Sequence, residues 1–259
     1  MLLAADIGNT EITLGLFIRD RLGGHWRVTT VLQRTPDEWA ALLTSFLSHA
    51  GRSTHEVRAA VQASVAPPVT ELVAEGVALA LGFPPTHVGP DTDLPIVLDV
   101  EEPHTVGADR VVNTLAAAEL YQRDTIVVDF GTATTFDCIT RDGTFLGGVI
   151  APGVRTSAEN LTRRAAKLPA TELVVPERVI GRRTEECIRA GVFFGTVDSV
   201  DGMVRRIKAE WPRDDQPLVV ATGGLAASVA QHCREIEIVE PHLTLVGLRI
   251  AARHLGLKW

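Results

Sequence analysis

The sequence predicts an α/β protein made of two related halves, each a mixed sheet covered by helices. Three observations predict it. Asp6-Ile7-Gly8-Asn9-Thr10 follows the apolar run Leu2-Leu3-Ala4-Ala5, and Asp129-Phe130-Gly131-Thr132-Ala133-Thr134-Thr135 follows Ile126-Val127-Val128. Each stretch reads as a buried strand ending in Asp-x-Gly, a tight turn and a second strand, and the two lie about half a chain apart, as in a duplicated unit. The order strand-strand-strand-helix-strand-helix-strand-helix then runs along the chain twice.

Within the first half, residues 2–30 read as three strands. Leu14, Leu16 and Ile18 alternate with smaller or polar neighbours, and Gly23-Gly24 is expected to turn the chain. Residues 36–47 read as a helix opened by Pro36, with Trp39, Leu42, Leu43, Phe46 and Leu47 on one face. A strand over 57–63 leads through Ser64-Val65-Ala66-Pro67-Pro68 to a helix over 69–81. His87-Val88 and residues 96–100 are short strands, and 108–121 is a helix with Val111, Val112, Leu115 and Ala118 inward.

The second half repeats the pattern. Strands are expected at 125–129, 133–140 and 144–151, and a helix over 154–163 follows Pro152-Gly153. An extended connector at 171–176 leads to a long helix over 184–210, with Ile188, Val192, Val200, Met203, Val204 and Ile207 at helical spacing. A strand at 218–221, a helix at 225–232, a strand at 236–239 and a helix at 243–255 finish the chain. At 259 residues the length suits one large domain or two modest ones, and the boundary is expected near 116, giving halves 1–116 and 117–259.

Composition narrows the function. Hydrophobic residues make up 46%, enough for a packed core. The net charge of −7 and the lack of Lys/Arg blocks beyond Arg163-Arg164 and Arg182-Arg183 argue against a nucleic-acid binder. No apolar run reaches the ~18 residues of a membrane helix, and the start has no basic n-region. Cys138, Cys187 and Cys233 are odd in number and scattered, which reads as buried free thiols in a reducing cytoplasm. His87, His104 and His242 have no metal-ligand spacing.

The two turns are suited to phosphate. Glycine lets the backbone approach a ligand, and converging N–H groups make an anion-binding concavity. Asn9, Thr10, Thr132, Thr134 and Thr135 add donors. A carboxylate beside phosphate repels it unless a cation intervenes, so Asp6 and Asp129 imply metal ions, with Mg²⁺ carried in by the nucleotide. Asp and Asn also simply favour turns. Two copies, both Thr-rich and both at strand ends, favour phosphate.

These residues resemble the actin-like sugar-kinase and heat-shock ATPase superfamily. Asp6 to Thr10 is similar to its first phosphate motif, Asp129 to Thr132 to its second, and Ala221-Thr222-Gly223-Gly224 to its adenosine motif. Gly107-Ala108-Asp109-Arg110, Gly147-Gly148-Val149-Ile150-Ala151-Pro152-Gly153 and the helix opening at Arg183-Thr184 narrow the resemblance to type III pantothenate kinases, over essentially the whole chain. The resemblance implies a two-lobed actin-like ATPase fold, and ATP-dependent phosphorylation of pantothenate to 4′-phosphopantothenate, the first step toward coenzyme A.

The same resemblance implies residue roles. Asp109 is the general base within a pantothenate-binding segment of Gly107, Ala108, Asp109 and Arg110, and Thr184 is a further pantothenate contact. Asp129 holds a monovalent cation, K⁺ or NH₄⁺, and Asp6 orients Mg²⁺ through water. ATP is bound by Asp6, Ile7, Gly8, Asn9, Thr10, Glu11, Ile12, Thr13, Thr132, Gly223 and Gly224. A cytoplasmic homodimer is implied, with the long helix at the contact. Glu11 departs from the neutral residue expected after the first motif, and could perturb cation binding if it pointed inward.

Chemistry supports these assignments beside plainer readings. An alcohol does not ionise at neutral pH, and a carboxylate within about 2.6–3.2 Å can take its proton as the O–P bond forms. Without the resemblance, Asp109 reads as an acid favouring a helix N-terminus, Arg110 as a surface cation rather than a two-pronged carboxylate ligand, and Thr184 as a helix N-cap backed by Glu185 and Glu186. Among rival classes, a P-loop kinase needs a Gly-Lys pair that the chain lacks. A repressor-related sugar kinase would carry a Cys/His zinc cluster. A non-enzymatic transcriptional relative would have lost Asp6 or Asp109. Filament and chaperone modules are longer.

Overall fold

The computed structural model describes residues 1–213 and 215–259. In chain order the elements of the first part are β1 (Leu2–Ile7), β2 (Glu11–Ile18), β3 (Arg21–Thr29), α1 (Pro36–His49), β4 (Ala59–Ser64), α2 (Pro67–Leu81), β5 (Thr86–Val88), β6 (Val97–Leu98) and α3 (Ala108–Tyr121). There follow β7 (Thr125–Phe130), β8 (Ala133–Ile139), β9 (Thr144–Pro152), α4 (Val154–Arg164), α5 (Thr184–Ala209), β10 (Leu218–Thr222), α6 (Ala226–Ala230), β11 (Ile238–Val239) and α7 (Leu243–His254). They form two compact units, Met1–Glu119 with Thr244–Trp259, and Leu120–Leu243.

In the first unit the strands run in the order β3-β2-β1-β4-β5, with β1 antiparallel to β2 and parallel to β4. Alternate residues of β1 and β2 (Leu3, Ala5, Ile7, Ile12, Leu14, Leu16) share a core with Trp39, Leu43 and Leu47 of α1 and Val69, Val73 and Val77 of α2. Thr35 and Glu38 form a reciprocal capping box that starts α1. Pro67 and Pro68 open α2 two residues before the expected start, because a ring that fixes φ and lacks an N–H is tolerated in a first helical turn.

Gly23-Gly24 does not form the turn expected of it. The reversal lies at Arg19-Asp20, with Arg19 at φ 55. Leu16 pairs with Gly24 and Phe17 with Leu22, so Gly23 is the extra residue of a β-bulge inside β3.

The last helix departs from the expected division. The Thr244 hydroxyl donates to Asn113 Oδ1 of α3 at 3.0 Å, and a Cβ on Gly247 would stand 2.2 Å from the Val112 carbonyl oxygen. Arg249 and Arg253 both reach Asp20, and the Trp259 indole donates to the Arg19 carbonyl. Residues 244–259 thus pack with the first unit, and the boundary falls in the last turn of α3 rather than at 116.

In the second unit the strands run β11-β10-β7-β8-β9, with β7 antiparallel to β8 and parallel to β10. Ile126, Val128, Phe136 and Val219 pack beneath Phe193, Val197, Val200 and Val204 of α5, which recur at helical spacing. Buried Asp201 of α5 accepts from the Arg234 and Glu235 amides, and buried Asp124 accepts from the Arg141 amide, the Trp211 indole and Arg213. The thiols differ from the buried set expected. Cys187 is exposed and Cys138 and Cys233 are half-buried. Burial, with Asp201 and Asp198 nearby, pushes the Cys233 thiol up to about 12.

Candidate active site

The first glycine bend joins β1 to β2. Asp6 stands opposite Thr13, one residue before β1 ends. The Gly8 N–H donates to the Glu11 carbonyl at 3.1 Å, and a Cβ on Gly8 would come 2.7 Å from that oxygen. Thr30, just past β3, holds the bend twice: its N–H donates to the Thr10 carbonyl at 3.0 Å and its hydroxyl to the Gly8 carbonyl at 2.7 Å. Glu11 points to Arg27, 3.5 Å away on β3, rather than inward. Ile7 and Ile12 are fully buried in the core, so only their backbone can meet a ligand.

A short relay connects this bend to α3. The Asn9 side chain donates to the Val65 carbonyl at 3.2 Å, and the Val65 N–H donates to the Ile7 carbonyl at 3.0 Å. Gly107 lies against the same residue: a Cβ there would be 3.3 Å from Val65 Cγ1 and 2.6 Å from Asp109 Oδ1. Asp109 occupies the first turn of α3 and accepts from the Arg110 N–H at 2.8 Å. It is half-buried with Gly107 and Arg110, while Ala108 is buried. Burial raises the Asp109 carboxyl above the usual range, and the amide and charge of Arg110 offset this only in part. A carboxylate shifted this way is a better proton acceptor than an ordinary aspartate.

The second bend joins β7 to β8. Asp129 lies abreast of Thr135 on one side and Thr222 on the other. The Gly131 N–H donates to the Ala133 carbonyl at 3.0 Å. The Thr132 carbonyl accepts from the Gly153 N–H at 3.1 Å and from the Thr156 hydroxyl at 2.6 Å. Gly153 must be glycine, since a Cβ would sit 2.4 Å from the Thr132 oxygen. Gly223 has φ +91 and lies so close to the bend that a Cβ would be 2.3 Å from Asp129 Oδ1. Gly131, Thr132, Asp129 and Gly223 are therefore brought together, with Thr132 and Gly224 exposed. Thr134 is not available at this surface; it is 3% exposed, inside the unit.

Thr184 is exposed and is the first residue of α5, not its N-cap. The cap position is Arg183, and Glu186 receives the preceding Arg182 N–H at 2.8 Å instead. That bond, with Arg178 and Arg183 nearby, lowers the Glu186 carboxyl.

The donor set suits a nucleotide with its cations. Asp6 and Asp129 each offer hard oxygen ligands at the end of their own glycine bend, and Gly223 lies so close to Asp129 that only glycine fits there. Among the described residues no three His, Cys, Asp or Glu side chains cluster. A single carboxylate such as Asp6 fits Mg²⁺, which keeps waters and phosphate oxygens as most of its ligands.

Comparison with known proteins decides the family. The family model for type III pantothenate kinase matches residues 2–206. A type III pantothenate kinase of Moorella thermoacetica is 45% identical over 96% of this chain and 98% of its own, and one of Geobacter sulfurreducens is 45% identical over 96% and 97%. The chain belongs to the type III pantothenate kinase family. Its fold is the actin-like ATPase fold shared with ROK sugar kinases. A ROK family glucokinase from Streptomyces griseus, solved with glucose and AMPPNP, superposes with a TM-score of 0.56 at 13% identity, covering 98% of this chain and 99% of its own. Component A of (R)-2-hydroxyglutaryl-CoA dehydratase from Acidaminococcus fermentans gives 0.53 at 14%, covering 99% of each.

Sequence reasoning missed Val65, Thr30 and Thr156 in this pantothenate kinase family member. Each touches a bend from an element distant in sequence, so no local pattern marks it. The only local trace of Thr30 and Thr156 is a threonine just after a strand or in a first helical turn, which many proteins have, and Val65 leaves none beyond its place in the turn after β4.

Proposed function

We propose that this chain transfers the γ-phosphoryl group of ATP to the primary alcohol of pantothenate, giving 4′-phosphopantothenate and ADP. Asp109 accepts the alcohol proton as the O–P bond forms and the β–γ bridging bond breaks. Arg110 pairs with the pantothenate carboxylate, whose two oxygens match a guanidinium fork. Thr184 adds a hydrogen bond to the same substrate. The bend from Asp6 to Thr13, with Thr132, Gly223 and Gly224, binds ATP. Asp6 would orient Mg²⁺ through water and Asp129 would hold a monovalent cation, K⁺ or NH₄⁺, and these ions would supply neutralisation of the triphosphate charge.

The observation that carries this reading is the Asn9–Val65–Gly107 relay. It ties the first glycine bend and the Asp109 turn into one piece of the first unit, so a base of raised pKa is built onto a phosphate-type bend. Family membership supplies the substrate.

The enzyme works as a homodimer in the cytoplasm. Among the described residues no helix is long and apolar enough to cross a membrane.

The test is a coupled assay with purified protein, ATP, Mg²⁺, K⁺ and pantothenate. ADP release that depends on pantothenate is expected. ADP release indifferent to pantothenate would overturn the substrate assignment.

A further inference from the structure

Each bend is held from behind by a threonine hydroxyl that reaches it from another element. The Thr30 hydroxyl donates to the Gly8 carbonyl at 2.7 Å, and the Thr156 hydroxyl donates to the Thr132 carbonyl at 2.6 Å. Both lie well within the O–H···O range. A trans peptide is planar, so a carbonyl and the N–H of the next residue point in opposite directions. Fixing the Gly8 carbonyl toward Thr30 turns the Asn9 N–H to the other side. Fixing the Thr132 carbonyl toward Thr156 turns the Ala133 N–H away from α4.

Backbone contacts act in the same sense. The Thr30 N–H holds the Thr10 carbonyl and the Gly153 N–H holds the Thr132 carbonyl. A glycine-rich turn left to itself samples many orientations of these amides, and anion binding must then order them.

We propose that Thr30 and Thr156 are positioning residues for nucleotide binding, each presetting the amide that its bend offers to phosphate oxygens. Neither touches the reacting atoms. Asn9 serves the bend in a different way: a side-chain N–H donates to the Val65 carbonyl, and its backbone N–H is the group that the Thr30 contact presets. The proposal rests on the kinase reading above, but its test does not need pantothenate.

Thr30→Val and Thr156→Val keep the branched shape and remove the hydroxyl. Titration with MgATP by calorimetry is expected to show an affinity about tenfold weaker in each, the scale of one lost hydrogen bond. In steady state, KM for ATP should rise by a similar factor, while KM for pantothenate stays within about twofold, because hydroxyl loss acts on one ligand only. Thr30→Ser and Thr156→Ser, which keep the hydroxyl, should restore affinity to within about twofold.

Wild-type affinity in both Val variants, or equal losses in the Ser and Val variants, would overturn the proposal. If circular dichroism shows a Val variant to be misfolded, the Ser variant compared with Ala at the same position decides on the same criterion. A wild-type protein that binds MgATP but leaves pantothenate unphosphorylated would overturn the kinase reading alone.

Discussion

The two glycine bends share a plan but not a length. Both follow a buried strand, both place an Asp beside a Thr of the partner strand (Asp6 with Thr13, Asp129 with Thr135), and both close with a glycine N–H on the carbonyl of a residue that opens the next strand. The first bend closes from Gly8 to Glu11 and the second from Gly131 to Ala133, one residue tighter. The longer bend has room for Asn9, whose side chain reaches Val65 and so connects to the Asp109 turn. The tighter bend has no such residue and is crowded instead by Gly223 and Gly153, which approach within distances that exclude a Cβ. Duplicated bends can thus diverge in task. The extra residue ties one to the acid, and the missing residue lets the backbone of a neighbouring motif come close to the other.

The comparison breaks most sharply at Asp109. Asp109→Asn is expected to lower kcat by about 10³-fold while ATP affinity, measured by calorimetry, changes little. Turnover within a few-fold of wild type would remove Asp109 from the mechanism and leave the first bend with no link to chemistry.

Crowding should set the ranking of glycine substitutions. Gly223→Ala forces a side chain into φ +91 and into Asp129, so it should destabilise the protein by about 1–3 kcal/mol in a denaturant melt and weaken ATP binding. Gly8→Ala meets a single carbonyl oxygen and should cost less. The reverse order would show that the second bend is the more forgiving.

Asp129 sharpens the comparison through ions. Replacing K⁺ by Na⁺ is expected to raise KM for ATP roughly tenfold, the scale of one charge-assisted contact, and Asp129→Asn should lose that response. Activity indifferent to the monovalent cation would leave Asp129 as a turn residue only.

The smallest effects concern protonation of Asp109. Its raised pKa and its need to be ionised place the acid limb of kcat/KM for pantothenate above the ordinary aspartate value of about 3.9. The same shift means that the folded state favours the protonated form. The stability this contributes is complete below the unfolded pKa and disappears as pH rises through the folded one. Asp109→Asn should therefore melt slightly higher than wild type at neutral pH, a gain absent in acid. A lower melting temperature at neutral pH would contradict the burial that sets the shift.

Much of this architecture was legible because local patterns carry it. Continuous apolar runs identified β1 and β7, alternating apolar residues identified β2, and helical spacing identified α1, α3 and α5 to within a few residues. The paired Asp-x-Gly stretches and Gly107 to Arg110 were visible as motifs, and they are where the bends and the acidic turn lie. Misreadings came where a residue type has several uses. Gly23 supplies a bulge rather than a turn, Thr184 begins a helix without capping it, and Thr134 faces the unit interior although its neighbours Thr132 and Thr135 do not.

The sequence by itself determined the duplicated strand-bend-strand units, the order of elements and the family, because each rests on neighbours along the chain. Only the tertiary structure decided that α7 packs with the first unit, that Asn9 and Gly107 meet at Val65, and that Thr30 and Thr156 hold the two bends. Those contacts join residues from about 20 to more than 100 positions apart. They form when burial of the sheet faces brings the elements together, and no property of either partner alone specifies the other.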